Sequence, residues 1–364
     1  MPDRLRIIGV EETVVVPAVY EAYRRAGSPQ IPARGFGDGP IAENLREVGE
    51  RRLAHMDDQG IDVAVLSLSS PGVQDLPETD AIAVAREAND QLAEIVASRP
   101  DRFQAFAAIP TQSPAAAAAE LERAVGELGF PGAMLYGRTG DRLADHPSND
   151  ELYATAERLG VPLHFHPQMP VQPVIDAYYS NIGQIGTPLA GAAIGWYYDL
   201  GVQYLRMIFS GVFDRFPDLQ VIAGHWGEVV TFYLDHIGFF AEAGGLQRPL
   251  ADYFTQNFWV AGSGTNSPRY LRWTAEVMGT DRMLYSTDYP FTYGFRPGGF
   301  PYVDTSGGAA RSFLEGAPFT DGQKADIAHR NWERLTARAT ERAAVRSLAT
   351  AGGDALSDGG GGAA

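Results

Sequence analysis

A carboxylate closes the first apolar run of this 364-residue chain and another closes the last. Glu11 follows the run Arg4–Val10, and Asp288 ends Leu284-Tyr285-Ser286-Thr287, where Pro290 stops the strand. Between them, His164 and His166 share one run, Val161–Pro167, and His225 closes Leu219–Ala223 within Gly224-His225-Trp226-Gly227-Glu228. Imidazole nitrogens and carboxylate oxygens are the donors a divalent metal takes in the absence of thiolates. The chain has no cysteine, which also excludes disulfides and a cysteine nucleophile. The same acids are suited to proton transfer. Polar caps at strand ends use the same residue types, so one such residue means little. Acids and imidazoles at the ends of four different runs mean more.

Those residues need elements that bring them to one place. Beyond the first, the apolar runs are Ile61–Ser67, Phe103–Ile109, Gly132–Tyr136, Val161–Pro167, Leu219–Ala223, Phe258–Ala261 and Arg282–Ser286. Helical patterns lie between them: Leu45–Gln59 ended by Gly60, Thr79–Ser98, and an alanine-rich helix to Leu128 with Ser113 as N-cap and Pro114 at its first position. Asn149–Leu159 (closed by Gly160), Tyr204–Arg215, Phe232–Ala243 and Arg269–Met278 follow, and Asp321–Ala337 closes the fold. Strands apolar on both faces and alternating with helices form a parallel sheet covered by helices. Eight such units predict a (β/α)₈ TIM barrel, an α/β fold whose site lies at the C-terminal ends of its strands. An open doubly wound sheet would want a glycine-rich phosphate loop after the first strand, and none is there.

Residues 14–45 are expected to fold as an N-terminal cap loop over one end of the core. Residues 168–200, with Tyr178, Tyr179, Trp196, Tyr197 and Tyr198, form an aromatic-rich insertion after strand five. Residues 1–340 are expected to be one domain. Residues 341–364, rich in Ala, Gly, Asp and Ser, are expected to be a disordered tail.

The remaining four of the seven histidines, His55, His146, His236 and His329, fall on helices or turns and read as caps or surface groups. Gly262-Ser263-Gly264 lacks the surroundings of a hydrolase elbow, and its glycines read as permitting close backbone approach. A formal net charge of −16 argues against nucleic acid and anionic membrane as partners. No uncharged apolar run reaches the roughly 20 residues of a membrane span, so a cytoplasmic location is expected.

Several of these segments resemble one family. Glu11-Glu12, Leu163–Pro167, Gly211-Val212-Phe213-Asp214-Arg215-Phe216-Pro217, Gly224–Glu228 and Ser286-Thr287-Asp288-Tyr289-Pro290-Phe291 are similar to the amidohydrolase-related, metal-dependent decarboxylases, which include the aminocarboxymuconate-semialdehyde, γ-resorcylate and 2,3-dihydroxybenzoate enzymes. The resemblance runs over about residues 5–338. It implies Glu11, His166 and Asp288 as ligands of a divalent Zn, Mn or Mg, and His225 beside the substrate with Glu228 behind it. It also implies Asp288 as the proton donor to the ring carbon, with Trp196 and Phe291 walling the substrate's ring; His164, on the same strand as His166, is expected as a further substrate-binding residue. The activity implied is non-oxidative decarboxylation of an aromatic or unsaturated carboxylic acid, a small molecule, by a homodimer or homotetramer. Alternatives are a hydrolase or hydratase of the same superfamily, or a metal-free binding protein. Arg138, Arg206 and Arg296 are candidate partners for a substrate carboxylate.

The chain departs from the family at one position. The family has Glu-x-His on the first strand, and here Thr13 stands where the histidine would be. Three readings follow: three protein ligands with more water, no metal at all, or a replacement imidazole. His164 is the candidate replacement, because residues i and i+2 of a strand share a face. Against that, it lies about 6.5 Å deeper in the barrel than His166.

Overall fold

The computed structural model describes residues 4–27, 39–291, 307–339 and 342. Eight parallel strands carry the fold: β1 Ile8–Val14, β2 Val63–Leu68, β3 Phe103–Ala105 continued by Ala107–Ala108, β4 Ala133–Tyr136, β5 Leu163–His166, β6 Val221–Ala223, β7 Phe258–Ala261 and β8 Met283–Leu284. Every strand is buried along nearly its whole length, as expected of strands covered on both faces.

The sheet closes on itself at two seams. Phe106 interrupts β3, and there the strand passes from one neighbour to the other: Phe106 N donates to Leu66 O (2.9 Å) and Ala107 N to Gly132 O (2.9 Å). Asn89 covers the break, its amide giving and taking hydrogen bonds at the Ala108 carbonyl (3.0 Å) and N–H (2.7 Å). The chain's two ends meet at the other seam, where Val10 N donates to Tyr285 O (2.9 Å), Asp288 N to Glu11 O (3.2 Å) and Thr13 N to Tyr289 O (2.9 Å). Ser286 Oγ adds a bond to Glu11 O (2.9 Å). The first and last strand-end acids of the sequence are therefore backbone neighbours. The TIM barrel expected from the alternating pattern is the fold.

Helices surround it: α1 Pro17–Ala26, α2 Pro40–Arg46, α3 Glu50–Gln59, α4 Glu78–Ser98, α5 Pro114–Gly126, α6 Asp150–Leu159, α7 Gly195–Phe209, α8 Leu250–Asn257 and α9 Pro268–Met278. No helix among the described residues is long and apolar enough to cross a membrane.

Several element boundaries differ from the sequence pattern. The helix expected at Leu45–Gln59 is two, α2 and α3, broken at Glu47–Gly49, where the Glu47 carboxylate accepts from the N–H groups of Gly49 and Arg52. Ser113 stands at the N-cap of α5 but its hydroxyl caps nothing, unlike Thr320, which makes a full capping box with Gln323. The helix expected at Tyr204 begins at Gly195, since Leu200, Tyr204, Met207 and Ile208 make one buried stripe, and it ends at Phe209. Gly211, at φ 74°, turns the chain into a separate short helix, Val212–Arg215. Phe232–Ala243 is not one helix but short turns, Val230–Phe232 and Leu234–Gly238. The N-terminal segment is helical where described, and α1 buries Val19, Ala22 and Tyr23. Short helical turns between Gln172 and Ala193 make up the insertion. Apart from Arg342, the expected tail at 341–364 lies outside the described residues.

Candidate active site

Glu11 sits at a bulge. β1 pairs with β2 through Gly9↔Ala64 and Glu12↔Leu66, so Val10 and Glu11 oppose the single residue Val65. A bulge re-aims side chains locally, and here the two acids part. Glu12 accepts from Thr287 N (2.9 Å) and Thr287 Oγ1 (2.6 Å), and folds back over Gly9, where a Cβ would come within 2.3 Å of its Oε1. Burial pushes the Glu12 carboxyl up to about 7 against the pull of those hydrogen bonds.

Glu11 points into the barrel and is fully buried. Its two oxygens differ. Oε2 accepts from Ser263 Oγ (2.5 Å) and lies 2.9 Å from Nε2 of His164. Oε1 faces Nε2 of His166 (3.7 Å) and Nε2 of His225 (3.9 Å), and has no hydrogen-bond partner among the described residues. Burial alone would raise the Glu11 carboxyl, but His164 and His225 hold it well below the usual carboxylate range. Gly224 makes room: a Cβ there would meet Glu11 Oε2 at 3.1 Å and Glu228 Oε1 at 3.4 Å.

The two imidazoles facing Oε1 are tied down differently. Nδ1 of His166 lies 2.7 Å from the Pro167 carbonyl, which only accepts, so Nδ1 carries the proton and Nε2 presents a lone pair. Burial lowers His166 to about 4, which keeps it neutral. Nδ1 of His225 lies 2.8 Å from Oε1 of the buried Glu228. Burial works against charge on His225 too, but Glu228 and Glu11 outweigh it and raise the group to about 9. The turn carrying it is strained, with His225 (φ 43°), Trp226 (62°), Glu228 (52°) and Val229 (60°) all left-handed. At about 1–2 kcal/mol for each such residue, the surrounding packing must hold it. Trp226 Nε1 donates to Thr265 O (2.8 Å) as part of that hold.

Ligand atoms of Glu11, His166 and His225 lie within 4.8 Å of one another, a spacing that can hold a metal ion. The set expected from the sequence had Asp288 in place of His225. Asp288 is also left-handed (φ 55°), and its Oδ1 is buried without a partner among the described residues. Burial first, and then Glu11, push its proton affinity well up, with His225 pulling the other way.

Thr13 offers nothing to the site. Its hydroxyl donates to Tyr289 O (2.7 Å) across the closing seam. His164 was expected at the substrate, but lies fully buried at the far oxygen of Glu11, edge-on to Phe106 with ring centroids 5.6 Å apart. Trp196 meets His166 edge-to-face at 5.8 Å. Phe291 is half-buried against the core, its N–H bonded to Asp288 O (2.9 Å). Arg138 donates to the carbonyls of Gly140 (2.7 Å) and Met169 (3.2 Å). Arg206 is taken up by a two-pronged pair with Asp145 (2.8 Å each), and Arg296 lies outside the described residues.

Sequence reasoning missed three contributors. Ser263 was passed over for its flanking glycines, and nothing local marks it as the donor to Glu11. Tyr197 tilts over His225 with centroids 4.7 Å apart. Tyr289 is clamped between His55, stacked at 4.1 Å, and the Arg52 guanidinium, 4.7 Å from its ring. Arg52 is itself buried and donates to Thr13 O (2.6 Å). His55, expected as a cap or surface group, is thus part of the packing next to Asp288.

Buried carboxylate oxygens that lack a partner among the described residues include Glu11 Oε1, which faces the Nε2 lone pair of His166 at 3.7 Å, and Oδ1 of Asp288, whose N–H bonds the Glu11 carbonyl. Left alone they are costly, and a divalent cation is what such a set of oxygen and imidazole donors suits.

Comparison with known proteins agrees. The amidohydrolase family model matches residues 40–335. γ-Resorcylate decarboxylase of Rhodococcus jostii (strain RHA1) is 38% identical over 277 residues, 71% of this chain and 83% of that protein. The crystal structure of 5-carboxyvanillate decarboxylase from Sphingomonas paucimobilis superposes with a TM-score of 0.81 at 31% identity, covering 91% of this chain and 99% of that one. Dihydroxybenzoic acid decarboxylase from Polaromonas sp. JS666, solved with bound manganese and the inhibitor 2-nitroresorcinol, superposes with a TM-score of 0.76 at 30% identity, covering 91% and 96%.

Proposed function

The chain belongs to the amidohydrolase family, and on that premise we propose that it is a non-oxidative decarboxylase, a carbon–carbon lyase, of an aromatic hydroxy-acid, working with a divalent metal of which manganese is favoured. One observation carries the reading. At the closing seam, Asp288 N donates to Glu11 O, and each residue has a buried carboxyl oxygen without a partner among the described residues, that of Glu11 facing His166 and His225.

Glu11, His166 and Asp288 would hold the metal. His166 is favoured over His225 as the imidazole donor because its other nitrogen is tied to a carbonyl and leaves a lone pair, whereas Glu228 favours a proton on His225. The metal, when bound, supplies positive charge to the substrate's oxygens and so stabilises the charge that develops there. The chain's own residues do the rest. His225 can donate to the substrate while Glu228 fixes its orientation. Asp288 gives its proton to the ring carbon bearing the carboxylate. The bond from that carbon to the carboxyl carbon then breaks, its electron pair returns to the ring, and CO₂ leaves. Asp288 regains a proton from solvent. Trp196 and Phe291 wall the aromatic ring, and Tyr197 covers His225.

The test is CO₂ release from a panel of hydroxybenzoates, with and without Mn²⁺. Release that requires the metal and vanishes in Asp288→Asn supports the reading, while hydrolysis or hydration without CO₂ sinks it. Neither alternative activity is favoured, since the relatives at 36–38% identity are decarboxylases, whereas a hydratase among the similar proteins is 24% identical. The same proposal takes residues 1–340 as one domain of a cytoplasmic homodimer or homotetramer. The exposed Phe232, Tyr233, Phe239, Phe240 and Trp273 support assembly, which light scattering would measure.

A further inference from the structure

The most unusual buried group in the barrel is His164. It is fully buried on β5, its ring edge-on to Phe106, and neither ring nitrogen has a well-aligned hydrogen-bond partner among the described residues. A phenylalanine would pack against Phe106 without leaving a buried ring nitrogen unpaired, which is costly. What the imidazole adds is its contact with Glu11. Nε2 stands 2.9 Å from Oε2, off the ideal hydrogen-bond line but with room only for a proton between the two atoms. An Nε2 lone pair there would face an electron-rich oxygen, so Nε2 bears the hydrogen.

From this we infer that His164, together with Ser263, is the positioning pair of Glu11: it holds Oε2 so that only Oε1 is presented to the metal. The inference rests on the metal-dependent reading of the site. Three features support it. Ser263 Oγ bonds the same oxygen at 2.5 Å, so Oε2 has two donor atoms close by, at 2.5 and 2.9 Å, whereas no donor among the described residues lies within hydrogen-bond distance of Oε1. Nε2 of His164 faces Oε2, on the side of the carboxylate away from the Oε1 that Nε2 of His166 and of His225 face. Gly224 leaves Oε2 space that a side chain would take. His164 thus answers the loss of an imidazole at Thr13 indirectly. It adds no ligand atom, and instead orients a carboxylate the site already has. Outer partners of this kind set metal affinity by orienting the ligand, typically by 10–100-fold.

The test is Mn²⁺ affinity of the full chain, read from the paramagnetic resonance signal of free Mn²⁺ during titration. The proteins are wild type, His164→Phe, His164→Gln, Ser263→Ala and the double variant His164→Phe/Ser263→Ala. His164→Phe keeps the ring and removes the donor, and should weaken binding about tenfold or more. His164→Gln returns an N–H near the position of Nε2 and should recover most of it. Ser263→Ala should also weaken binding, and the double variant should differ from the product of the two singles, since both act on one oxygen. Binding in His164→Phe within twofold of wild type overturns the inference. So does His164→Gln as weak as His164→Phe, which would make the imidazole itself a ligand. Wild type that takes up no Mn²⁺ removes the metal reading of the site and this inference with it. Should His164→Phe fail to fold, Ser263→Ala decides alone, and affinity within twofold of wild type there overturns the anchoring of Oε2.

Discussion

Replacing Glu228 by Gln should return His225 to an ordinary or lower proton affinity, and the size of the change can be worked from the site. His225 stands at about 9 in the metal-free protein, against 6.5 for a free imidazole. At about 1.4 kcal/mol for each tenfold change in proton affinity, this is a preference of roughly 3 kcal/mol for the charged form, relative to a free imidazole. Burial opposes that charge, so the carboxylates of Glu228 and Glu11 together supply more than this net figure. Glu228 is fully buried and 2.8 Å from Nδ1, and Gln keeps an oxygen to accept from Nδ1–H while removing the charge. The sign follows from linkage: a histidine raised in the folded state adds stability that is complete below pH 6.5 and is lost as pH rises through 9. Titration of the labelled histidine ring by NMR, in protein stripped of metal, should place His225 near 9 in wild type and at or below neutrality in Glu228→Gln. The decline in stability between pH 6.5 and 9 should flatten in the variant. A His225 that titrates near 6.5 in wild type, or one that Glu228→Gln leaves unmoved, refutes the reasoning.

Asp288→Asn should lower the rate of CO₂ release by about 10²–10⁴-fold, the usual contribution of a positioned proton donor. It should also lose Mn²⁺ if Asp288 is a ligand, which metal analysis of the same preparation reads directly. Thr13→Val should leave metal content unchanged and cost about 1 kcal/mol in denaturant unfolding, since it removes only the bond to Tyr289 O; lost metal would show that Thr13 serves the site. Burial and then Arg52 lower His55 to about 4, so its contribution to stability is complete above pH 6.5 and is lost as pH falls towards 4. His55→Phe should flatten that acid limb, and an unchanged limb would assign it to other groups. Ser113→Ala should be silent in thermal melts while Thr320→Ala costs about 1 kcal/mol, because only Thr320 caps its helix.

Helix ends were the least legible part of the fold. The break in Leu45–Gln59 depends on the Glu47 carboxylate turning back to Gly49 and Arg52, which no periodicity reveals. α7 was misplaced because Trp196, Tyr197 and Tyr198 read as a loop-like aromatic cluster, although Leu200, Tyr204 and Met207 continue their helical stripe into the core. Among the candidate site residues, Glu11, His166, His225, Glu228 and Asp288 could be singled out in the sequence because each closes an apolar run or follows one closely, although β1 in fact runs on past Glu11 to Val14. Their division of labour could not be read there. The carbonyl that leaves His166 a lone pair and the carboxylate that favours a proton on His225 come from geometry around each ring, not from spacing.

By itself, the sequence determined the architecture and the rim on which the chemistry would lie. Apolar period, strand length and strand-end residue types are local properties, and eight repetitions of one local plan admit few closed arrangements. Tertiary structure decided what crosses the closing seam and the barrel interior. A one-residue bulge sends Glu11 into the barrel and Glu12 to Thr287. The carbonyl of Tyr289, in the turn beyond β8, takes the Thr13 hydroxyl, and β5 and the loop after β7 bring His164 and Ser263 to the far oxygen of Glu11. These contacts join residues up to 276 positions apart, and their register is set by barrel closure rather than by any pattern within one run. That is why a threonine in the ligand position and a histidine two residues from the expected ligand could be seen in the sequence, but their roles could be read only in three dimensions.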